Sequence, residues 1–248
     1  MSKFANQYLH TVINLISRIQ QEEIDSIHKA ALLLADAIEQ SHCLFAFGCT
    51  HSSLPIQDLV YRAGGMMLIN PIFGPGISAL DIKPATISSA MEQMEGYAQV
   101  ILDNSPIKPG DVLILVSVSG RNAVPIEMAQ LAKERGIKVI GVTSLEYSES
   151  VSSRHPSGKK MHHFADIVLD NKAPKGDAVL EDPNMPQRFT PVSGVTSTAL
   201  LHALVSATIE ELLNRGITPP VFLAANVDGG KEYNDRLVEQ YRHRIFFM

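Results

Sequence analysis

Apolar positions along the chain follow two rhythms. Over residues 4–20 and 22–40 they recur every three to four places, as in Ile24, Ile27, Ala31, Leu34, Ala35 and Ile38, with Glu, Asp and Lys between them, which predicts two helices. Short, mainly apolar runs begin after that, at 43–47, 66–69, 112–116, 138–142 and 165–169. Their length fits strands buried on both faces. Helical periodicity fills the gaps, over 53–63 closed by Gly64-Gly65, over 88–103, and over 123–135 closed by Gly136.

Strands separated by helices predict a parallel sheet covered on both sides, an α/β three-layer sandwich. The expected sheet is five-stranded and doubly wound, in the flavodoxin-like order 2-1-3-4-5, with extra N- and C-terminal helices. Residues 70–84 carry Pro71, Gly74, Pro75, Gly76 and Pro84 and read as a loop. Residues 143–153 read as a short helix or loop. Residues 171–191 are polar, proline-rich and long for a connection, which marks a functional lid or a subunit contact. A strong helix over 196–215 and a last one over 231–244 complete a single domain: a helical extension (1–40), a sheet core (41–170) and a loop with C-terminal helices (171–248).

Composition narrows the classes of function. The 248 residues have 45% hydrophobic and 19% charged content and a formal charge of -5, with Lys and Arg scattered, so no basic surface for nucleic acid or an anionic membrane is expected. No apolar run reaches the roughly 18 residues of a membrane span, and residues 1–7 lack the apolar core of a signal peptide. A cytoplasmic protein is expected. Cys43 and Cys49 flank a strand whose extended reach of about 20 Å is too long for a disulfide, so both read as free thiols.

The informative chemistry lies in two turns, Gly48-Cys49-Thr50-His51-Ser52-Ser53 and Ser117-Val118-Ser119-Gly120-Arg121-Asn122. Each joins an expected strand to an expected helix. Such turns offer free backbone N–H groups, hydroxyls and the positive end of a helix dipole, which suit a phosphate oxyanion. Ser117, Ser119 and Asn122 would also serve as plain helix caps. The recurrence of the turn favours phosphate. In the assumed strand order the first and third strands flank the point where the order reverses, where doubly wound sheets bind ligands.

These paired turns resemble those of sugar isomerase (SIS) domains, which bind phosphosugars on a five-stranded parallel sheet; the likeness spans about residues 40–170. The helical prologue and Val192-Ser193-Gly194-Val195-Thr196-Ser197-Thr198-Ala199-Leu200-Leu201 resemble the N-acetylmuramic acid 6-phosphate etherase branch, itself related to phosphoheptose isomerases. Residues 170–178 and Asn226-Val227-Asp228-Gly229-Gly230 look most like the UPF0309 type, over nearly the whole chain. The resemblance implies that Ser52, Ser117, Ser119 and Asn122 hold the phosphate, with Thr50, Ser53 and the amides of Gly120 and Arg121 contributing. The apolar stripe on the 196–215 helix and the two N-terminal helices exceed what one sheet needs as cover, which predicts a homodimer, and the resemblance implies that the cleft sits at the subunit boundary. Thr50 departs from the pattern, since many SIS turns have glycine there.

Isomerisation and elimination of sugar phosphates both need a base beside a carbonyl and an acid for the ring oxygen or leaving group. Glu92 and Glu95 lie about one helical turn apart on the expected 88–103 helix, away from Met91, Met94 and Ala98. Glu92, nearer the helix start, is the preferred base; a solvated helix face is the plain alternative. His51 in the first turn and His155 in the 153–159 loop are the acid/base histidines. Arg121 would clasp the phosphate or pair with a carboxylate at a subunit boundary. Lys159 and Glu127 read as surface residues, and Cys49 has no base beside it. His162 and His163, as neighbours in an extended chain, point apart and cannot share an ion, so no metal and no cofactor is expected.

The leading expectation is therefore an enzyme that isomerises a phosphorylated sugar or amino sugar or cleaves it by elimination. Its rival is a sugar-phosphate sensor without chemistry, although the first 40 residues supply no DNA-binding unit. A nucleotide-binding protein ranks last, because no Gly-x-Gly-x-x-Gly run follows the first strand.

Overall fold

Residues 2–248 are described by a computed structural model. Helices α1 (Lys3–Glu22) and α2 (Ile24–Glu39) lead into β1 (Leu44–Gly48), α3 (Ser53–Leu59) and β2 (Ile69–Pro71). Helices α4 (Thr86–Met91) and α5 (Tyr97–Asp103) precede β3 (Val112–Val116), α6 (Ala123–Glu134), β4 (Lys138–Thr143), α7 (Leu145–Glu149) and β5 (Ile167–Asp170). A hairpin of β6 (Ala178–Leu180) and β7 (Phe189–Pro191) comes before the long α8 (Ser193–Asn214) and the final α9 (Gly230–Tyr241).

The five-stranded sheet has the order β2-β1-β3-β4-β5, with every pairing parallel. Its central strands are apolar throughout because both faces are covered. Leu44 and Ala46 of β1 point into one layer and Phe45 and Phe47 into the other. β3 repeats this, with Val112, Ile114 and Val116 on the first side and Leu113 and Leu115 on the second. The first layer is filled by α2, through Ile27, Ala31 and Leu34, and by Leu200, Leu201 and Leu204 of α8. The second is filled by Ile101 and Leu102 of α5 and by Val124, Met128 and Ala132 of α6.

Four expected elements differ. The 53–63 helix stops at Leu59, where Val60 turns extended at φ -92°, ψ 138°. The second strand begins at Ile69 rather than Met66, so it starts where the apolar run ends. The single 88–103 helix is two, because the chain breaks after Met91 and restarts at Gly96, which is left-handed at φ 80°. The 171–191 connection holds β6 and β7, paired antiparallel. Phe189 of that hairpin meets Phe4 edge to face at 5.2 Å, and Tyr8 of α1 donates to the Pro191 carbonyl, so the hairpin rests on α1.

A buried ion cluster ties the sheet to the junction between α1 and α2. The Lys172 ammonium lies 2.6 Å from Glu23 and 3.1 Å from both Glu22 and Asp170, while Glu23 also accepts the Asp170 N–H at 3.1 Å. Burial opposes the charge on Lys172, but hydrogen bonds to Glu23 and Glu22 outweigh it and push its pKa up. Removing one member of such a cluster strands the others without a counter-charge. Lys172→Met should therefore cost about 3–5 kcal/mol of unfolding free energy, read from urea denaturation, with the apolar stem otherwise kept.

Candidate active site

Because Gly48 of β1 is paired with Val116 of β3, the chain leaves both strands side by side at the same edge of the sheet. The first turn is tight. A Cβ on Gly48 would lie 2.3 Å from the Ser52 carbonyl oxygen, so only glycine lets the chain fold back there. Thr50 sits at φ 48°, a conformation natural to glycine and strained for a β-branched residue, which explains the glycine expected at this position. The Thr50 N–H donates to the Ile77 carbonyl at 2.6 Å and holds the turn in place.

Both turns open on one cavity of about 880 Å³. One side is formed by Thr50, His51 and Ser52 with Ser117, Val118, Ser119 and Asn122, and Glu92 joins them. The facing wall comes from Tyr147, from Gly176, Asp177 and Pro191 of the hairpin segment, and from Ser193, Gly194, Val195, Ser197 and Thr198 of α8. Leu54, Pro55 and Asp58 of α3 form the rim. Sequence reasoning did not name the facing wall; the length and polarity of the 171–191 segment was its one visible sign.

Among the described residues the hydroxyls of Ser52, Ser117 and Ser119 have no protein hydrogen-bond partner, and neither do the backbone N–H groups of Ser119, Gly120, Arg121 and Asn122. A run of unpaired amides beside free hydroxyls is an anion cradle. Ser53 differs: it is buried, its hydroxyl donates to the Thr50 carbonyl and accepts from Ala79 N–H, and it locks the turn from beneath. The N-terminus of α8, although at the cavity, is already occupied. Asp177 accepts the Val192 and Ser193 N–H groups at 3.0 and 2.7 Å and the Ser193 hydroxyl at 2.7 Å.

The two acidic candidates part company at the helix break. Glu92 follows the last turn of α4 and lines the cavity; Glu95 lies within the break, just before Gly96, and is exposed. They do not share a helical face. Burial pushes the Glu92 carboxyl above its ordinary range, against the opposing pull of an Asn122 hydrogen bond and the positive charge of Arg154. The Cys49 thiol is pushed well up by burial, with Glu92 adding to the effect, so it is held as a neutral thiol.

His51 is exposed in the cavity wall, whereas His155 is outside it. The His155 Nδ1 meets the Ser157 hydroxyl at 2.8 Å and its Nε2 lies 3.6 Å from Glu127. Glu127 in turn accepts the Gly96 N–H at 2.8 Å, so this pair secures the break after Glu92. Gly120 and Arg121 are also off the cavity wall; Arg121 reaches the Ser152 hydroxyl at 3.4 Å and its buried Nε has no partner.

His162 and His163 depart from expectation. They belong to a 3-10 turn (Met161–Phe164), and their rings stand 4.3 Å apart with Glu149 3.0 Å from His162 Nε2. Their ligand atoms and that of Glu149 lie within 4.8 Å of one another, so the rings converge rather than diverge. The His163 Nδ1 accepts the Lys160 N–H at 2.9 Å, which leaves the proton of a neutral ring on Nε2 and spends its lone pair.

Comparison with known proteins fits this geometry. The sequence pattern described as SIS domain matches residues 7–144, a span that includes both turns and Glu92. The chain belongs to the SIS-domain family. Full-length relatives of this SIS protein carry the UPF0309 label: one from Streptomyces griseus is 48% identical over 246 residues, covering 99% of this chain and 98% of its own. Another, from Shouchella clausii, is 39% identical over 245 residues, covering 99% of each chain. Among solved structures, the phosphoheptose isomerase of Neisseria gonorrhoeae aligns with a TM-score of 0.57 at 18% identity, over 84% of this chain and 98% of that one. That of Francisella tularensis gives 0.54 at 14% identity, over 85% and 100%. At such identities the likeness is one of fold. No described helix of this SIS protein is long and apolar enough to cross a membrane.

The raised Glu92 pKa has a measurable consequence. Between the ordinary carboxyl range and the raised value, the folded protein binds more protons than the unfolded chain, so stability falls as pH rises through that window. Glu92→Gln has no charge to desolvate. Urea denaturation should show the variant gaining on wild type from pH 4.5 to 7.5, with little difference at the acidic end.

Proposed function

We propose that the protein binds a phosphorylated sugar or amino sugar in this cavity and catalyses its isomerisation or its cleavage by elimination, with Glu92 as the base. The observation that supports this most is the set of unpartnered Ser52, Ser117 and Ser119 hydroxyls beside the free amides of Ser119 and Asn122. Phosphate docks there, and the sugar extends towards Tyr147 and the start of α8. The occupied N-terminus of α8 leaves the turn before α6 as the open positive helix end at the cavity.

Glu92 then removes the proton beside the sugar carbonyl. A carboxyl whose pKa is raised by burial is a better base for such a carbon acid than an ordinary one. His51, also in the cavity wall, supplies the proton for the ring oxygen or the departing group. The family likeness to phosphoheptose isomerases supports the substrate class, while the choice between isomerisation and elimination rests on the chemistry of the bound sugar. A titratable carboxyl held in the cavity favours an enzyme over a sensor, because binding alone needs no base. The proposal includes a homodimer, supported by exposed Leu9 and Ile13 on α1 and Ile24 on α2.

A thermal-shift panel of N-acetylhexosamine 6-phosphates and ketose phosphates, each beside its unphosphorylated sugar, tests the proposal. Ligand at about a hundred times its dissociation constant should add about 2.7 kcal/mol, for phosphorylated members alone. Ser119→Asp places a carboxylate in the cradle and should abolish that stabilisation. Glu92→Gln should keep it and lose turnover followed by NMR. Equal stabilisation by sugars with and without phosphate would overturn the reading.

A further inference from the structure

The 153–160 loop, which crosses from β4 towards β5, is fastened on both sides of the Glu92 break. The Arg154 N–H donates to the Arg121 carbonyl at 2.8 Å, and the His155 ring faces Glu127, which holds Gly96. The carbonyl of Glu92 itself accepts the Val124 N–H of α6 at 3.1 Å. Arg154 is exposed, and among the described residues it makes no ion pair within 4 Å; its guanidinium instead donates to Asn122 Oδ1 at 3.1 Å. That contact settles which way the Asn122 amide points. With Oδ1 engaged by Arg154, the amide NH2 is the end left to face the Glu92 carboxyl, which Asn122 draws towards its charged form. Asn122 is thereby a bridge between a cation and the carboxylate, not a free phosphate donor.

We propose that Arg154 is a positioning residue for Glu92, acting through the Asn122 amide to fix the carboxylate at the cavity wall and to keep a positive charge facing it. This rests on the reading of Glu92 as the base. The groups that face Glu92 are Asn122 from the start of α6, Arg154 from the loop and Cys49 from the end of β1; Cys49 is a neutral thiol, so Arg154 is the one charge among them. An exposed guanidinium without a carboxylate of its own is otherwise unexplained on this loop.

The test follows Glu92 directly by ¹³C NMR of carboxyl-labelled glutamate in the full-length protein, with its signal assigned by its loss in Glu92→Gln. Arg154→Gln should move the Glu92 midpoint up by about half to one pH unit, a modest effect for an exposed charge. Arg154→Lys, which keeps the charge and one donor for Asn122 Oδ1, should restore most of the wild-type midpoint. Asn122→Leu should move it up as well. An unchanged midpoint in Arg154→Gln, with an otherwise native amide spectrum, would overturn the proposal. Failure of wild type to bind any member of the phosphosugar panel would instead sink the functional reading and leave the coupling between Arg154 and Glu92 intact. Where turnover is found, Arg154→Gln should lower kcat with KM little changed and shift the alkaline rise of the rate profile upward; a change in KM alone would also count against the proposal.

Discussion

The register between β1 and β3 is the constraint on which the rest of the structure depends. Setting Gly48 opposite Val116 brings the two turns to one edge at one height, so that hydroxyls and amides from both reach one cavity. A slip of one residue would carry the turns about 3.3 Å apart and reverse the layer into which each side chain points. That slip is prevented by the core. Phe45 and Phe47 fill the layer under α5 and α6, while Ala46 leaves room for Leu34 and Leu201 on the other side, and exchanging the two faces would clash on one and leave voids on the other. Packing far from the cavity therefore fixes the geometry within it.

Glu92 shows the opposite economy. A carboxyl in the cavity wall loses hydration, and the fold recovers only part of that loss through Asn122 and the distant charge of Arg154. A fully paired carboxylate would be more comfortable and less basic. The chain holds it there by breaking a helix: had 88–103 continued unbroken, Glu92 would be a mid-helix side chain, with its carbonyl spent on Gly96 rather than free for the Val124 N–H. Gly96 in the left-handed conformation, fastened by Glu127, makes the break a fixed feature.

The sheet was legible in the sequence because strands buried on both faces carry short apolar runs next to turn residues, whereas the equally apolar run at 30–35 sits within a helical rhythm. The two turns were legible because Gly, Ser, Thr and Asn between a strand and a helix have few other uses. Local periodicity did not reveal the break at Glu92: Ala90, Met91, Met94 and Ala98 keep a helical rhythm across it, and the carboxylate that fastens Gly96 comes from Glu127, 31 residues away. His162 and His163 illustrate the same blindness. Adjacent side chains diverge in a strand, but a 3-10 turn rotates them by a third of a revolution, enough to bring both rings together beside Glu149. The facing wall of the cavity was hidden for a third reason, since it comes from a hairpin whose place is set by Phe4 and Tyr8 at the far end of the chain.

The hairpin also bears on where an anion binds. Three helices begin at the cavity; α3 spends its first N–H groups on its own turn, and of α6 and α8 the latter is longer by ten residues. Length gives it no advantage, because the dipole acts through the unpaired N–H groups of the first turn. Asp177 has already taken the Val192 and Ser193 N–H groups at the start of α8, and its negative charge would repel a second anion there. The α6 end has no such occupant: Asn122 makes no side-chain bond to its own helix, its amide being turned to Arg154 and Glu92. A phosphate drawn to α6 would thus lie beside Ser117 and Ser119 with Glu92 next to it, and the sugar would run towards α8, where Ser197 and Thr198 carry hydroxyls and no positive charge competes for the phosphate. The hairpin, by neutralising one helix end, would orient an anionic ligand in the cavity.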